Sequence, residues 1–342
     1  MKFDFDDVLI TPAHVTSINS RSEIFEFDSL GNLPLFTAPM DTVISKDNEK
    51  LFRELNIRVV LPRTQETELN PETNESRFLS YSLRQFKEAF IGMDQPMDKT
   101  HWILIDVANG HMPDVYDTLV AGKQKYGDSL VLMVGNVANP ETYAILSDAG
   151  ADYVRIGIGN GGGCLTTQQT GIGYPMGSLI EETYEVSLSL DNPAKIVADG
   201  GFKKYADIIK ALAIGADYVM LGSILNKALE SAGETVDEEG EHVDQYKPSA
   251  ESYLKAGGKL YKTFRGMSTK EVQKKWGKEK LTTSEGVVRM RTVKYTLEGW
   301  TENFVDYLKS TMSYTNSRTL KDFIGNVKWT VISQNAYNRF NK

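Results

Sequence analysis

Residues 155–175 read RIGIGNGGGCLTTQQTGIGYP, with seven glycines around Cys164, the sole cysteine in a chain of 342 residues. Gly157, Gly159 and Gly162 satisfy G-x-G-x-x-G after an apolar run at 154–158. Glu181 and Glu182 follow about 20 residues on, where a dinucleotide-binding turn places its acidic ribose ligand. That motif holds a pyrophosphate only if a helix begins at the third glycine and aims its N-terminus at the phosphates. Here Gly171, Gly173 and Pro175 break any helix continuing from it. The two glutamates fall inside a helical repeat of Leu179, Ile180, Tyr184 and Leu188. The dinucleotide-binding reading therefore fails. A structural loop with an incidental cysteine and a nucleophile on a mobile loop remain.

Outward from this loop, short apolar, β-branched runs alternate with helical patterns. Strands are expected at 33–37, 57–61, 102–106, 130–134, 153–158, 195–198, 218–221 and 260–264. Helices are expected at 115–126, 140–149, 179–190 and 205–214, where apolar residues recur at three- and four-residue steps. Gly150 and Gly215 stand where helix-ending glycines belong. Eight strand–helix units in roughly 250 residues predict one α/β domain, a (β/α)8 TIM barrel spanning 1–342. A short flap is expected around 268–284 and a C-terminal extension over 287–342. In such a barrel the chemistry gathers just after the strands. The expected strand ends here run into Pro39-Met40-Asp41, Arg63, Asp106-Val107-Ala108, Gly135-Asn136, the Cys164 loop, Asp199-Gly200-Gly201, Gly222-Ser223 and Gly266-Met267-Ser268. Turn chemistry alone accounts for any one of these segments; the set, with the unique cysteine in its longest glycine loop, points to a ligand.

The composition narrows the class. A net charge of −8 argues against nucleic-acid binding, which depends on Lys and Arg neutralising phosphates. No apolar run approaches the ~18 residues of a membrane span. The first residues, MKFDFDD, are acidic and lack the apolar core of a secretory signal. A lone cysteine forms no internal disulfide, which suits a reducing cytoplasm. The acidic run Glu234–Asp244 lacks the ligand spacing of a calcium loop and is read as a solvated hairpin or loop.

The strand-end segments resemble the inosine monophosphate dehydrogenase / guanosine monophosphate reductase family. The resemblance is carried by Phe5-Asp-Asp-Val-Leu, Ser20-Arg-Ser-Glu23, Ala38-Pro-Met-Asp-Thr-Val43, Gly135-Asn-Val and the cysteine loop. It continues through Ala198-Asp-Gly-Gly201, Met220-Leu-Gly-Ser223, Arg265-Gly-Met-Ser268, Ser284-Glu-Gly286 and Ser313-Tyr314. Three features lean to the reductase branch: no room for a regulatory CBS module after the second strand, Asp106-Val-Ala-Asn-Gly110, and Thr170-Gly-Ile-Gly-Tyr-Pro175. A fourth is a flap without the Arg-Tyr pair with which dehydrogenases activate water; it holds Lys270, Lys274, Lys275, Lys278 and Lys280 instead. Pro39 and Met220–Ser223 lean toward the dehydrogenases.

The resemblance implies reductive deamination of GMP, or of dGMP, to IMP with NADPH through a covalent Cys164 intermediate. Thr166 and Glu285 would together protonate the departing ammonia. Asp199 would accept the ribose hydroxyls, and Gly200, Gly201, Gly222 and Ser223 would hold the phosphate. Gly266, Met267, Ser268 and Gly286 would line the base and phosphate. Ser20, Arg21, Arg63, Asp106, Val107, Ala108, Ser313 and Tyr314 match the cofactor side. Carbonyls at Gly159, Gly161 and Cys164 match a monovalent-cation (K+) site, and a homotetramer is implied. From the residues themselves, the glycine loop is expected to aim several N–H groups at the sulfur and stabilise its thiolate, the nucleophilic form. Three departures are plain: Thr282 stands where reductases have arginine, Cys164-Leu-Thr-Thr167 stands where they read Cys-Thr-Thr-Arg, and Asn160-Gly-Gly-Gly163 replaces a proline-containing turn. An IMP dehydrogenase without regulatory domains, and a barrel that binds purine nucleotides without catalysis, are the competing readings.

Overall fold

The computed structural model describes residues 2–340 apart from 65–66, 70, 95–98, 277–280, 282 and 285. Eight parallel strands curl around a common axis: β1 (Leu35–Thr37), β2 (Val59–Leu61), β3 (Arg77–Tyr81), β4 (His101–Asp106), β5 (Leu130–Val137), β6 (Tyr153–Ile156), β7 (Lys195–Asp199) and β8 (Tyr218–Leu221). Each pairs with the next, and β8 pairs with β1. Between β1 and β2 the ring closes through a parallel bridge, Phe36 to Arg58, with Thr37 N donating to Arg58 O at 2.9 Å and Arg58 N to Leu35 O at 3.1 Å. The barrel is a (β/α)8 TIM barrel.

Alternate strand residues build two cores, as a period of two requires. Phe36, Val60, Phe78, Leu104, Met133, Tyr153, Val197 and Met220 fill the interior, with Phe36, Phe78 and Tyr153 meeting edge to face. Their outward neighbours, such as Val59, Leu79, Ile103, Leu132 and Val154, join the larger core beneath the helices. Helices start and stop where the chain says they should. Asn139 caps Pro140–Asp148 by accepting from the N–H groups of Glu141 and Thr142. Tyr205–Ile214 ends at Gly215, whose φ of +135° costs an L side chain dearly.

Two assignments change. Residues 260–264 were expected as the eighth barrel strand, yet Tyr261–Arg265 lies in a separate antiparallel sheet. We label this sheet β9 (Thr235–Val236), β10 (Tyr261–Arg265) and β11 (Val288–Thr292). Along β10 buried and part-exposed residues alternate, the signature of a sheet covered on one face, whereas β1, β2, β6 and β8 are buried throughout. The barrel strand missing from the expected set is β3. Arg77 and Ser80 make it read as polar, although Ser80 is buried. The acidic run forms a small hairpin beside β9, with Val236 bridged to His242.

Among the described residues, those beyond 287 pack against the rest of the chain. β11 completes the antiparallel sheet, and the helix Leu297–Tyr314 buries Trp300, Phe304 and Leu308 in the main core. Trp329–Val331 then pairs antiparallel with Val8–Ile10. Among the described residues, no helix is long and apolar enough to cross a membrane.

Candidate active site

The C-terminal mouth of the barrel collects the strand-end residues. After β6 the chain makes the glycine loop and one short helix, Thr166–Thr170, which Gly171 terminates in the left-handed conformation. The Cys164 sulfur is part-exposed and lies 3.2 Å from the Thr166 hydroxyl oxygen. Cys164 N donates to Gly161 O at 2.9 Å, and Val287 N donates to Gly163 O at 3.2 Å, so an antiparallel bridge joins Cys164 to Gly286. Gly266 N donates to Val287 O at 3.0 Å and draws the end of β10 into the same contact. Three backbones meet here, and a Cβ on Gly266 would fall 2.5 Å from Gly163 O and 3.0 Å from the Gly286 Cα. Only glycine permits that approach.

The expectation that several N–H groups face the sulfur is not met. Among the described residues the Thr166 hydroxyl is the hydrogen-bonding neighbour of Sγ. Gly163 instead packs closely on Phe264 and Gly266, where a Cβ would fall 2.8 Å from the Phe264 ring and 3.4 Å from the Gly266 Cα. Glu285 lies outside the described residues, as do Thr282, Lys278 and Lys280; its neighbours Ser284 and Gly286 are placed beside the cysteine loop, with Ser284 Oγ donating to Gly286 O at 2.9 Å.

Deeper in the mouth, Asp199 ends β7. Asn136 Nδ2 donates to its Oδ2 at 2.9 Å and to Gly157 O at 2.7 Å. Arg155, only 5% exposed, spans two carboxylates: Nη2 pairs with Asp106, and Nε lies 3.8 Å from Asp199 Oδ2. Burial pushes the Asp199 carboxyl above its ordinary value, against the opposing pull of Arg155 and Asn136. Arg63 stands on the other side of Asp106, Nε to Oδ2 3.7 Å, and its guanidinium carbon sits over the Trp276 ring, 3.6 Å from the centroid. Trp276 follows the flap helix Lys270–Lys275. The flap is also tied by Lys275 to Asp41, 2.9 Å, while Asp41 pairs with Arg265 at 2.5 Å. Buried Nε atoms of Arg63 and Arg155 and Oδ1 of Asp41 have no hydrogen-bond partner among the described residues. Orphaned polar atoms gathered at one mouth are what a polar ligand satisfies.

Gly200 and Gly201 follow Asp199 with φ of +93° and +91°, and a Cβ at Gly200 would lie 3.0 Å from Gly161 N. Gly222, after β8, packs against the Met40 sulfur. The structure thus brings Cys164, Thr166, Asp199, Gly200, Gly201, Gly222, Ser223, Gly266, Met267, Ser268 and Gly286 to one mouth, with Arg63, Asp106, Val107 and Ala108 at its edge. Gly159 and Gly161 lie in the same loop. Ser20, Arg21, Ser313 and Tyr314 gather elsewhere, on the flank formed by the helix Leu297–Tyr314. There Arg21 Nη2 donates to Ser310 Oγ at 3.2 Å and Thr16 Oγ1 to Ser313 O at 2.9 Å. Tyr314 lines a cleft of about 600 Å³ with Ile10, Tyr205 and Tyr307.

Sequence reasoning missed Arg155, Asn136 as a carboxylate partner, the pairing of Asp41 with Arg265 and Lys275, and Trp276. A trace existed for Arg155: a lone charge in an otherwise apolar strand, YVRIG, at an inward-facing position.

The model of the IMP dehydrogenase / GMP reductase domain matches residues 96–340. The chain belongs to this family. Within it, the chain is 29% identical to the GMP reductase of Oceanobacillus iheyensis, covering 98% of this chain and 97% of the relative. It is 30% identical to human GMP reductase 2, covering 94% and 92% respectively. It is 31% identical to the GMP reductase of Streptococcus suis, over 75% of this chain and 80% of the relative. Among the described residues, the stretch from Arg63 to β4 holds the barrel strand β3 and one helix, Leu83–Phe86 continued to Ile91.

Proposed function

We propose that this chain is a GMP reductase-type oxidoreductase, taking GMP and NADPH to IMP, ammonia and NADP+. The observation that carries the reading is the meeting of Cys164, Thr166 and Gly286, with the 121 residues between Cys164 and Gly286 closed off by one backbone bridge. The Cys164 thiolate adds to C2 of the guanine and forms a C–S bond. The 2-amino group takes a proton and leaves as ammonia, with Thr166 and Glu285 as donor pair; a positioned acid contributes typically 10²–10⁴-fold. NADPH, held beside Arg63, Asp106, Val107 and Ala108, would supply the hydride that C2 takes up, and the C–S bond then breaks to regenerate the Cys164 thiolate with IMP.

Asp199 accepts from the ribose hydroxyls, held for that task by Asn136 and Arg155. Gly200-Gly201 and Gly222-Ser223 present backbone N–H groups to the phosphate, and Gly266-Met267-Ser268 with Gly286 border the base. Arg63, Asp106, Val107 and Ala108 form the nicotinamide side, where the orphaned Nε atoms of Arg63 and Arg155 fit a polar cofactor. Ser20, Arg21, Ser313 and Tyr314 belong to the cofactor surface of an oligomer, a tetramer in our reading, in which one protomer's flank meets its neighbour's mouth. The carbonyls of Gly159, Gly161 and Cys164 are neutral oxygen donors with no carboxylate among them, a set suited to a monovalent ion such as K+. The protein acts in the cytoplasm on a purine nucleoside monophosphate.

The test follows NADPH absorbance with GMP and with dGMP, beside IMP with NAD+. NADPH consumption with stoichiometric ammonia supports the reading. Sustained XMP formation from IMP overturns it in favour of a dehydrogenase without regulatory domains, and nucleotide binding without turnover would mark a non-catalytic barrel.

A further inference from the structure

β11 carries Arg289 and Arg291 on one face, opposite Phe264 and Lys262 of β10. The Arg291 guanidinium lies on the Phe264 ring, 3.9 Å from its centroid, and Nη1 donates to Ser223 O at 3.3 Å. A Cβ built on Gly162 would lie 3.2 Å from Ser223 Oγ and 3.5 Å from Arg291 Nη2. The guanidinium is thus seated over the bare backbone where the cysteine loop meets the Gly222-Ser223 turn. Phe264 is 1% exposed and fixes the platform on which it rests.

The charge around it is unbalanced. Lys227 and Lys294 are joined through Lys294 N donating to Lys227 O at 2.9 Å. Burial lowers the pKa of Arg291, with Arg289 adding to the effect, and burial lowers that of Lys227, with Lys294 and Arg291 adding. Among the described residues, none of these four cations has a carboxylate within ion-pairing distance, in a protein of net charge −8. Unpaired like charges repel, and their persistence in one place calls for an anion.

We infer that Arg291 is the side-chain half of the phosphate site, a specificity residue that makes this mouth select a dianionic 5′-phosphate monoester over the corresponding nucleoside. This rests on the reading of Gly222-Ser223 as the phosphate turn. Backbone N–H groups grip phosphate by dipoles alone, whereas a guanidinium adds a full charge and a forked pair of donors. Its platform, Phe264, stands one residue before Arg265-Gly266, so the anchor of the phosphate and the border of the base are set by the same strand.

The test measures binding of GMP, guanosine and ribose 5-phosphate to the full-length protein, to Arg291→Gln and to Arg291→Lys, with circular dichroism confirming that each variant folds. Loss of a charged hydrogen bond predicts that Arg291→Gln binds GMP and ribose 5-phosphate about 10- to 100-fold more weakly. Guanosine binding should be unchanged, and Arg291→Lys should recover part of the loss. Equal GMP affinity in wild type and Arg291→Gln, or an equal loss for guanosine, overturns the inference. If GMP fails to bind the wild type while ribose 5-phosphate binds in an Arg291-dependent way, the purine reading falls and the phosphate assignment stands.

Discussion

Replacing Arg155 by leucine isolates the electrostatics of the barrel mouth. The guanidinium is 5% exposed, while its partners Asp106 and Asp199 are 17% and 21% exposed. Removing one partner of a buried pair strands the other charges, at a cost of about 3–5 kcal/mol. With an unfolding entropy of about 2.1 cal/mol/K per residue, a chain of 342 residues loses roughly 0.7 kcal/mol per degree, so melting should fall by about 4–7 °C near neutral pH. The pH dependence has a definite sign. Asp199 already has a raised pKa in the folded state, and without Arg155 it rises further. A raised carboxyl pKa destabilises the fold above the unfolded-state value, and that penalty fades as pH falls toward the ordinary carboxylate range. Thermal unfolding of wild type and Arg155→Leu, followed by circular dichroism at about pH 7.5 and about pH 5, measures this directly. The deficit should be largest at the higher pH. A deficit under about 1 °C near neutrality, or one independent of pH, would refute the account of Arg155 as the charge that holds the two carboxylates.

The same elevated Asp199 pKa predicts that affinity for a ribonucleoside monophosphate weakens on the acid side, with its inflection above the ordinary carboxylate value of 3.8; calorimetric titration of wild type and Asp199→Asn tests this, since the variant should lose the acid limb. Trp276→Leu removes the stack on Arg63, worth about 0.5–2 kcal/mol, and should raise the KM for the dinucleotide roughly 2- to 30-fold; an unchanged KM would mean that the flap contributes nothing to that site. Cys164→Ser should abolish turnover while nucleotide binding stays within about threefold, because an alkoxide is far harder to form than a thiolate at neutral pH; an active serine variant would end the covalent mechanism.

What the sequence determined by itself was local. The two- and three-to-four-residue periods placed most barrel strands and the main helices, since they record which face each element must bury. The glycines and Asp199 at strand ends located the mouth, and the broken helix after Gly162 removed the dinucleotide reading. Strand membership needed the tertiary structure: 260–264 and 77–81 each hold three apolar residues in five, and only barrel closure decides which one pairs with β2 and β4. The charge partners were equally hidden. Arg155 bridges Asp106 and Asp199 from 49 and 44 positions away, and Trp276 reaches Arg63 across more than 200. Arg291 meets Ser223 and Gly162 only because β10 and β11 fold back over the mouth. Such contacts have no period along the chain. They depend on the radius at which eight strands close and on where the loops between them come to rest.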